Sequence, residues 1–123
     1  MLEFNWRNIK LKEKETIITK TYDLLKYSIP IISKFPRDQK FLLGDQFQKL
    51  LTEILDAFIE AYYSKKRIHI LIPANLKLEK LRYRIRLSHD FEFISNKQYG
   101  QFSEKVDEIG RMLGGWIKKE SGK

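Results

Sequence analysis

The chain has 123 residues, the length of one domain and enough to bury a core. With 42% hydrophobic and 33% charged residues it is neither a disordered polymer nor a membrane-embedded one, and no apolar run approaches the roughly 18–20 residues that cross a bilayer. It has no cysteine, which excludes disulfides and thiolate metal sites, and its 24 Lys and Arg against 16 Asp and Glu leave a net charge of +8.

Gly and Pro are few, which favours long helices over hairpins. Residues 1–14 read as a polar and basic extension, 15–119 as a single helical bundle, and 120–123 as a polar, frayed tail. From Thr16 onward Ile18, Tyr22, Leu25, Ile29 and Ile32 recur at spacings of three and four, one stripe of an amphipathic helix. Pro30 is expected to kink or close it, because an internal proline loses a hydrogen bond and clashes with the turn before it. Ser33-Lys34-Phe35 then connects to a second helix, for which Pro36 suits the first position.

That second helix is expected to reach about residue 63. Its core line is Phe47, Leu51, Ile54, Phe58 and Ala61, flanked by Leu43, Leu50, Leu55 and Tyr62, so a wide arc is apolar. The run Ile68-His69-Ile70-Leu71-Ile72 suits either a short strand or the approach to a third helix spanning about 73–94, and the helical approach is preferred. In the third helix Leu78, Leu81, Ile85 and Ser88 form one stripe. Leu76, Tyr83, Leu87 and Ile94 form another nearly opposite, which one core cannot bury, so either this helix is central to the fold or, the preferred reading, its back face meets another subunit.

Ser95-Asn96-Lys97-Gln98 fits a capping box that opens a fourth helix. Tyr99, Phe102, Val106, Ile109, Leu113 and Trp116 continue it by threes and fours, the clearest helical signal in the chain. Gly110 falls on that stripe with Gly114 beside it, a GxxxG spacing whose plain explanation is close helix packing. Together the four helices predict an all-α fold, an antiparallel four-helix bundle.

Catalytic groupings are not found. His69 and His89 are twenty residues apart, off the spacing of a helical metal pair, and the side chains of His89 and Asp90 are expected to diverge. Asp45, Glu53, Asp56 and Glu60 read as a solvated acidic face or as a mate for the basic third helix, since no inward Glu-x-x-His accompanies them. There is no phosphate loop and no strained nucleophile turn. No cofactor, metal or catalytic residue is expected. The start Met1-Leu2-Glu3-Phe4-Asn5 lacks the pattern of an export signal, so a cytoplasmic location is expected.

The positive charge is concentrated. Residues 65–97 hold nine basic and three acidic side chains, whereas residues 35–64 hold three and five. Such a block attracts polyanions, although a solvated lysine-rich surface gives the same count. Lys65, Lys66 and Arg67 precede the third helix; Lys77 and Arg84 lie on one flank of its core stripe, Arg82 and Arg86 on the other, and Lys80 points outward. Arg82 and Arg86 could equally pair with acidic residues of the second helix.

Three segments carry a family resemblance: Phe35-Pro36-Arg37 with Leu43-Gly44; Ala74-Asn75 leading to Leu78-Glu79-Lys80-Leu81-Arg82; and Ile109-Gly110-Arg111-Met112-Leu113-Gly114-Gly115-Trp116-Ile117. Over residues 22 to 117 the sequence resembles the accessory variability determinant (Avd) proteins of diversity-generating retroelements, and shares much of this pattern with the four-helix-bundle proteins of ribosomal RNA intervening sequences. The resemblance implies a basic four-helix bundle assembled as a ring-like homo-oligomer, a pentamer, that binds RNA or DNA and the element's reverse transcriptase during mutagenic cDNA synthesis. It implies no catalysis. Lys80, Arg82 and Arg111 carry over as nucleic-acid-binding positions within the matched segments, with Arg84 and Arg86 next to them. A structural oligomer that binds only protein, and an enzyme, are the competing classes.

Overall fold

The computed structural model describes residues 13–122, with side chains from Thr16 onward, so all but the end of the expected extension lies outside the described residues. The described chain is helical throughout and contains no strand: α1 (Glu13–Ile32), a short turn of helix α2 (Arg37–Gln39), a π-helical segment (Lys40–Gly44), α3 (Asp45–Tyr63), α4 (Ile68–Asp90) and α5 (Asn96–Ser121). Four of these are long. α3 packs against α1 and α4, and α5 packs against the same two, which puts α1 and α4 at opposite corners. Across the centre Phe47 meets Phe102 edge to face, the ring centroids 5.3 Å apart, a favourable arrangement of the two ring quadrupoles.

The core line expected for the second helix is buried in α3 at every position, and the line expected for the fourth is buried in α5 from Phe102 to Trp116. α1 differs. Its buried residues are Ile17, Thr21, Leu24, Ser28 and Ile32, while Tyr22 and Ile29 are 51% and 44% exposed, so the expected stripe is corrected by a rotation of the helix. The reason is local hydrogen bonding. Thr21 Oγ1 donates to Ile17 O at 2.8 Å and Ser28 Oγ to Leu25 O at 2.9 Å, so two small hydroxyls enter the core without an unmet polar group. Pro30 does not stop the helix at once; two more residues follow, and Ser33 Oγ donates to the Pro30 carbonyl at 2.6 Å.

Pro36 is the cap of α2 and not its first residue. The expected single helix from there to Tyr63 is interrupted by the π-helical segment, in which Leu43 and Gly44 are buried while Phe41 and Leu42 face out. Gly44 is required there. A Cβ on it would stand 2.9 Å from Ile32 Cγ2, so this glycine lets α1 and the segment before α3 close on each other.

α4 starts five residues before Pro73 and ends at Asp90. Proline is tolerated in its second turn at the loss of one backbone hydrogen bond. The helix stops because Glu92 takes the left-handed region at φ 62, with its amide donating to His89 O at 2.9 Å and Phe93 N to Ser88 O at 2.8 Å. Ile94 therefore leaves the helix and enters the core at 4% exposure, so its assignment to the outward stripe is corrected; Leu76, Tyr83 and Leu87 are exposed as that stripe requires. A non-glycine left-handed residue carries a penalty of about 1–2 kcal/mol. Glu92→Gly is accordingly expected to raise stability by about 1 kcal/mol, read as a higher denaturation midpoint at constant slope.

The capping box is formed: Gln98 N donates to Ser95 Oγ at 3.0 Å and Ser95 N to Gln98 Oε1 at 2.9 Å. The helix it opens runs to Ser121, so the expected tail is helical through that residue. The GxxxG reading is corrected as well. Gly114 has nothing within 4 Å of a notional Cβ, whereas at Gly110 that atom would lie 2.8 Å from Arg82 Nη2 and 3.6 Å from Leu78 Cδ2. Gly110 makes room for an arginine head. Gly110→Leu is expected to eject Arg82 and crowd Leu78, lowering stability by about 1–3 kcal/mol in a thermal melt; an unchanged midpoint would mean the site relaxes freely.

Candidate nucleic-acid interface

The nine basic residues expected to touch nucleic acid separate into two groups by what they already hold. Arg67 is committed to the fold. Its Nε donates to Ala61 O at 2.9 Å, Nη2 to Tyr62 O at 3.2 Å, and Nη1 to Glu120 Oε1 at 3.4 Å. It thereby caps the C-terminus of α3, where orphan carbonyls and the helix dipole favour a cation. Arg82 is also committed: Nε lies 3.0 Å from Glu79, Nη1 pairs with Asp107, and the head sits over Gly110. Two carboxylates offset its charge.

The others are freer. Lys77 reaches Glu53 at 3.5 Å, so the acidic face of α3 mates with α4 at one point. Arg84 donates from Nε to the neutral Gln46 Oε1 at 3.1 Å and makes no ion pair among the described residues. Arg86, 65% exposed, approaches Asp90 only to 3.9 Å. Lys65, Lys66, Lys80 and Arg111 are exposed and make no ion pair among the described residues. These side chains can follow a phosphate backbone without breaking a bond within the bundle.

Two lysines missed by the sequence reading join them. The Arg67–Glu120 pair brings the start of α4 against the end of α5, so exposed Lys118 and Lys119 share one end of the bundle with Lys65 and Lys66. Their signal was the helical period of α5 running on past Trp116. Arg111 and Lys118, seven residues apart, share an outer face of α5, and Gly114 and Gly115 leave bare helix between them.

The groove between α4 and α5, about 310 Å³, is lined by Glu79, Arg82, Tyr83, Arg86, Tyr99 and Asp107. Glu79 and Asp107 would repel a phosphate there, so the outer surfaces and not this groove suit a polyanion. On α5 the Glu108 carboxyl is held below its ordinary range, chiefly by the hydrogen bond from Lys20 at 2.8 Å.

No group of three or more His, Asp or Glu that could hold a metal gathers among the described residues. His89 stacks on Tyr99 at 4.3 Å with Nε2 2.6 Å from Asn96 Oδ1. It also comes within 3.5 Å of Asp90, contrary to the expected divergence, because α4 ends at that turn. No helix among the described residues is long and apolar enough to cross a membrane.

A family model described as bAvd-like matches residues 16–120. Among solved structures, a protein of the S23 ribosomal protein family from Bacteroides thetaiotaomicron is 21% identical with a TM-score of 0.79, covering 87% of this chain and 99% of that one. That likeness shows the fold. No curated protein matches the sequence.

Proposed function

The chain belongs to the bAvd-like family, and from that premise we propose that it is a cytoplasmic accessory subunit of a diversity-generating retroelement. It performs no chemistry of its own. It binds RNA or DNA through phosphates, associates with the reverse transcriptase, and works as an antiparallel four-helix bundle in a ring-like homo-oligomer, a pentamer in the family's manner. The observation that carries the nucleic-acid part is the set of cations without carboxylate partners among the described residues: exposed Lys65, Lys66, Lys80 and Arg111 and half-buried Arg84, with Lys118 and Lys119 beside the first two. The oligomer part rests on Leu76, Tyr83 and Leu87, exposed along one face of α4.

A phosphate-binding protein releases counterions, so its affinity falls linearly with salt on a log–log plot, by about 0.9 units per phosphate contacted on duplex DNA. Gel retardation of unrelated RNA and DNA fragments at low salt tests this directly. Retardation that weakens steeply with salt supports the proposal; failure to retard either polymer at about 50 mM salt removes it and leaves the protein-only oligomer in its place.

A further inference from the structure

The groove between α4 and α5 has two walls of matching period. Glu79, Arg82 and Arg86 follow one another by threes and fours on α4 with Tyr83 at their edge, and Tyr99, Ser103 and Asp107 follow by fours on α5, so each set keeps one helix face turned to the other. Arg82 closes one end by bridging Glu79 and Asp107. Asp107 gives it Oδ1; neither Oδ2 of Asp107 nor the Ser103 hydroxyl enters a hydrogen bond among the described residues. The other end is aromatic. Tyr99 stacks one face on His89 with centroids 4.3 Å apart, and Tyr83 is exposed, while Leu76 and Leu87, its companions on the apolar face of α4, do not line the groove. At about 310 Å³ the groove lies at the small end of ligand sites, about 300–1,000 Å³, and suits a single flat ring.

We propose that this groove takes one unpaired nucleobase of a single-stranded RNA or DNA, guanine fitting best, while the phosphates on either side of that base stay outside. This rests on the nucleic-acid reading above and adds a base contact to it. Charge excludes the phosphates from the groove: two arginines and two carboxylates line it, and at the rim Arg86 and Arg111 are flanked by Asp90 and Glu104. What remains is ring surface and a directional polar edge. Every base has a π face to lay on Tyr99 or Tyr83. An ionised carboxylate only accepts, so Asp107 sorts bases by the donors on their pairing edge. Guanine presents two adjacent donors, N1–H and the 2-amine, beside its O6 acceptor. Asp107 and Ser103 accept from the donors, and Arg86, tied to Asp90 only at 3.9 Å, donates to O6. Adenine and cytosine set one amine beside a ring nitrogen whose lone pair faces the carboxylate, and uracil sets N3–H between two carbonyls, so each makes one bond next to a repulsion. Duplexes hide this edge in base pairs, which restricts the groove to unpaired strands.

The test is fluorescence anisotropy of the full-length protein with labelled oligouridines that carry a central guanosine, inosine, adenosine or cytidine, or no substitution, at about 50 mM salt. The guanosine strand is expected to bind about tenfold more tightly than the adenosine, cytidine and all-uridine strands, the size of one two-point base contact. Inosine, which keeps O6 and N1–H and lacks the 2-amine, is expected to lose most of that preference. Asp107→Asn leaves Arg82 paired with Glu79 and is expected to bind every strand about as the wild type binds uridine. Ser103→Val, which fills the groove without touching an ion pair, is expected to do the same, and circular dichroism checks that both variants are folded. A guanosine preference that survives at full strength in the folded variants overturns the base site. A wild type that binds all the strands alike, or binds only duplexes, also overturns it and leaves the phosphate reading standing. A wild type that binds neither strands nor duplexes removes both.

Discussion

Exchanging Lys80, Arg84, Arg86 and Arg111 together for glutamine is expected to weaken binding to unrelated RNA and DNA by about a hundredfold or more at about 50 mM salt. At about 0.9 units of slope per phosphate, one contact is worth roughly tenfold between 1 M and 50 mM salt, so two engaged side chains account for the lower figure. The slope should flatten by up to about 3.6 units if each of the four contacts one phosphate. None of the four is anchored to a close carboxylate: Arg84 meets an amide, Arg86 stands 3.9 Å from Asp90, and Lys80 and Arg111 have no ion pair among the described residues. The melting temperature should therefore barely move. Loss that depends on the sequence of the probe would point to base reading, and an unchanged slope would place the phosphates elsewhere, first at the Lys65, Lys66, Lys118 and Lys119 end.

The parts of this fold legible in the sequence are those where burial and apolarity coincide. Phe47 through Ala61 and Phe102 through Trp116 are buried and apolar at helical spacing, so periodicity alone locates the cores of α3 and α5. α1 misleads because its core uses Thr21 and Ser28, whose hydroxyls are satisfied by the preceding turn and so can replace apolar groups; the visible apolar stripe then leaves Tyr22 and Ile29 exposed. Proline misplaces the start of α4 for a related reason. It is forbidden in a helix interior only by the one bond and one contact it disturbs, and tertiary packing of Leu71 and Ala74 outweighs both. The same limit applies to the site. Nine cations are equivalent in a charge count, and only the fold shows that Arg67 and Arg82 are spent on carbonyls and carboxylates from other helices. In this bundle the uncommitted cations cannot be read from local sequence alone, because each committed arginine also has a carboxylate partner far along the chain, Asp107 25 residues from Arg82 and Glu120 53 residues from Arg67.

Arg67→Met is expected to produce the largest loss of stability of any substitution among the nine basic residues. The arginine joins three helices: it begins α4, donates to two carbonyls at the end of α3, and reaches a Glu120 side chain only 6% exposed on α5. Methionine can replace the packing of the stem but none of the donors. The Ala61 and Tyr62 carbonyls then lose their guanidinium, and the Glu120 carboxylate keeps its burial while losing that cation. Breaking a buried charged pair costs about 3–5 kcal/mol, and because Arg67 is itself 23% exposed the lower end applies, about 3 kcal/mol. For a domain of this size that corresponds to a fall of roughly 10–20 °C in the thermal midpoint. Arg67→Lys should recover part of it, since an ammonium keeps the charge but cannot span both carbonyls and the carboxylate from one planar head. Salt dependence separates this role from phosphate binding. Below its midpoint, the Arg67→Met protein is expected to keep the log–log slope of the wild type within about half a unit, because the side chain it lacks was never available to a phosphate. A slope flattened by a full unit with an unchanged melt would assign Arg67 to the nucleic acid and not to the fold.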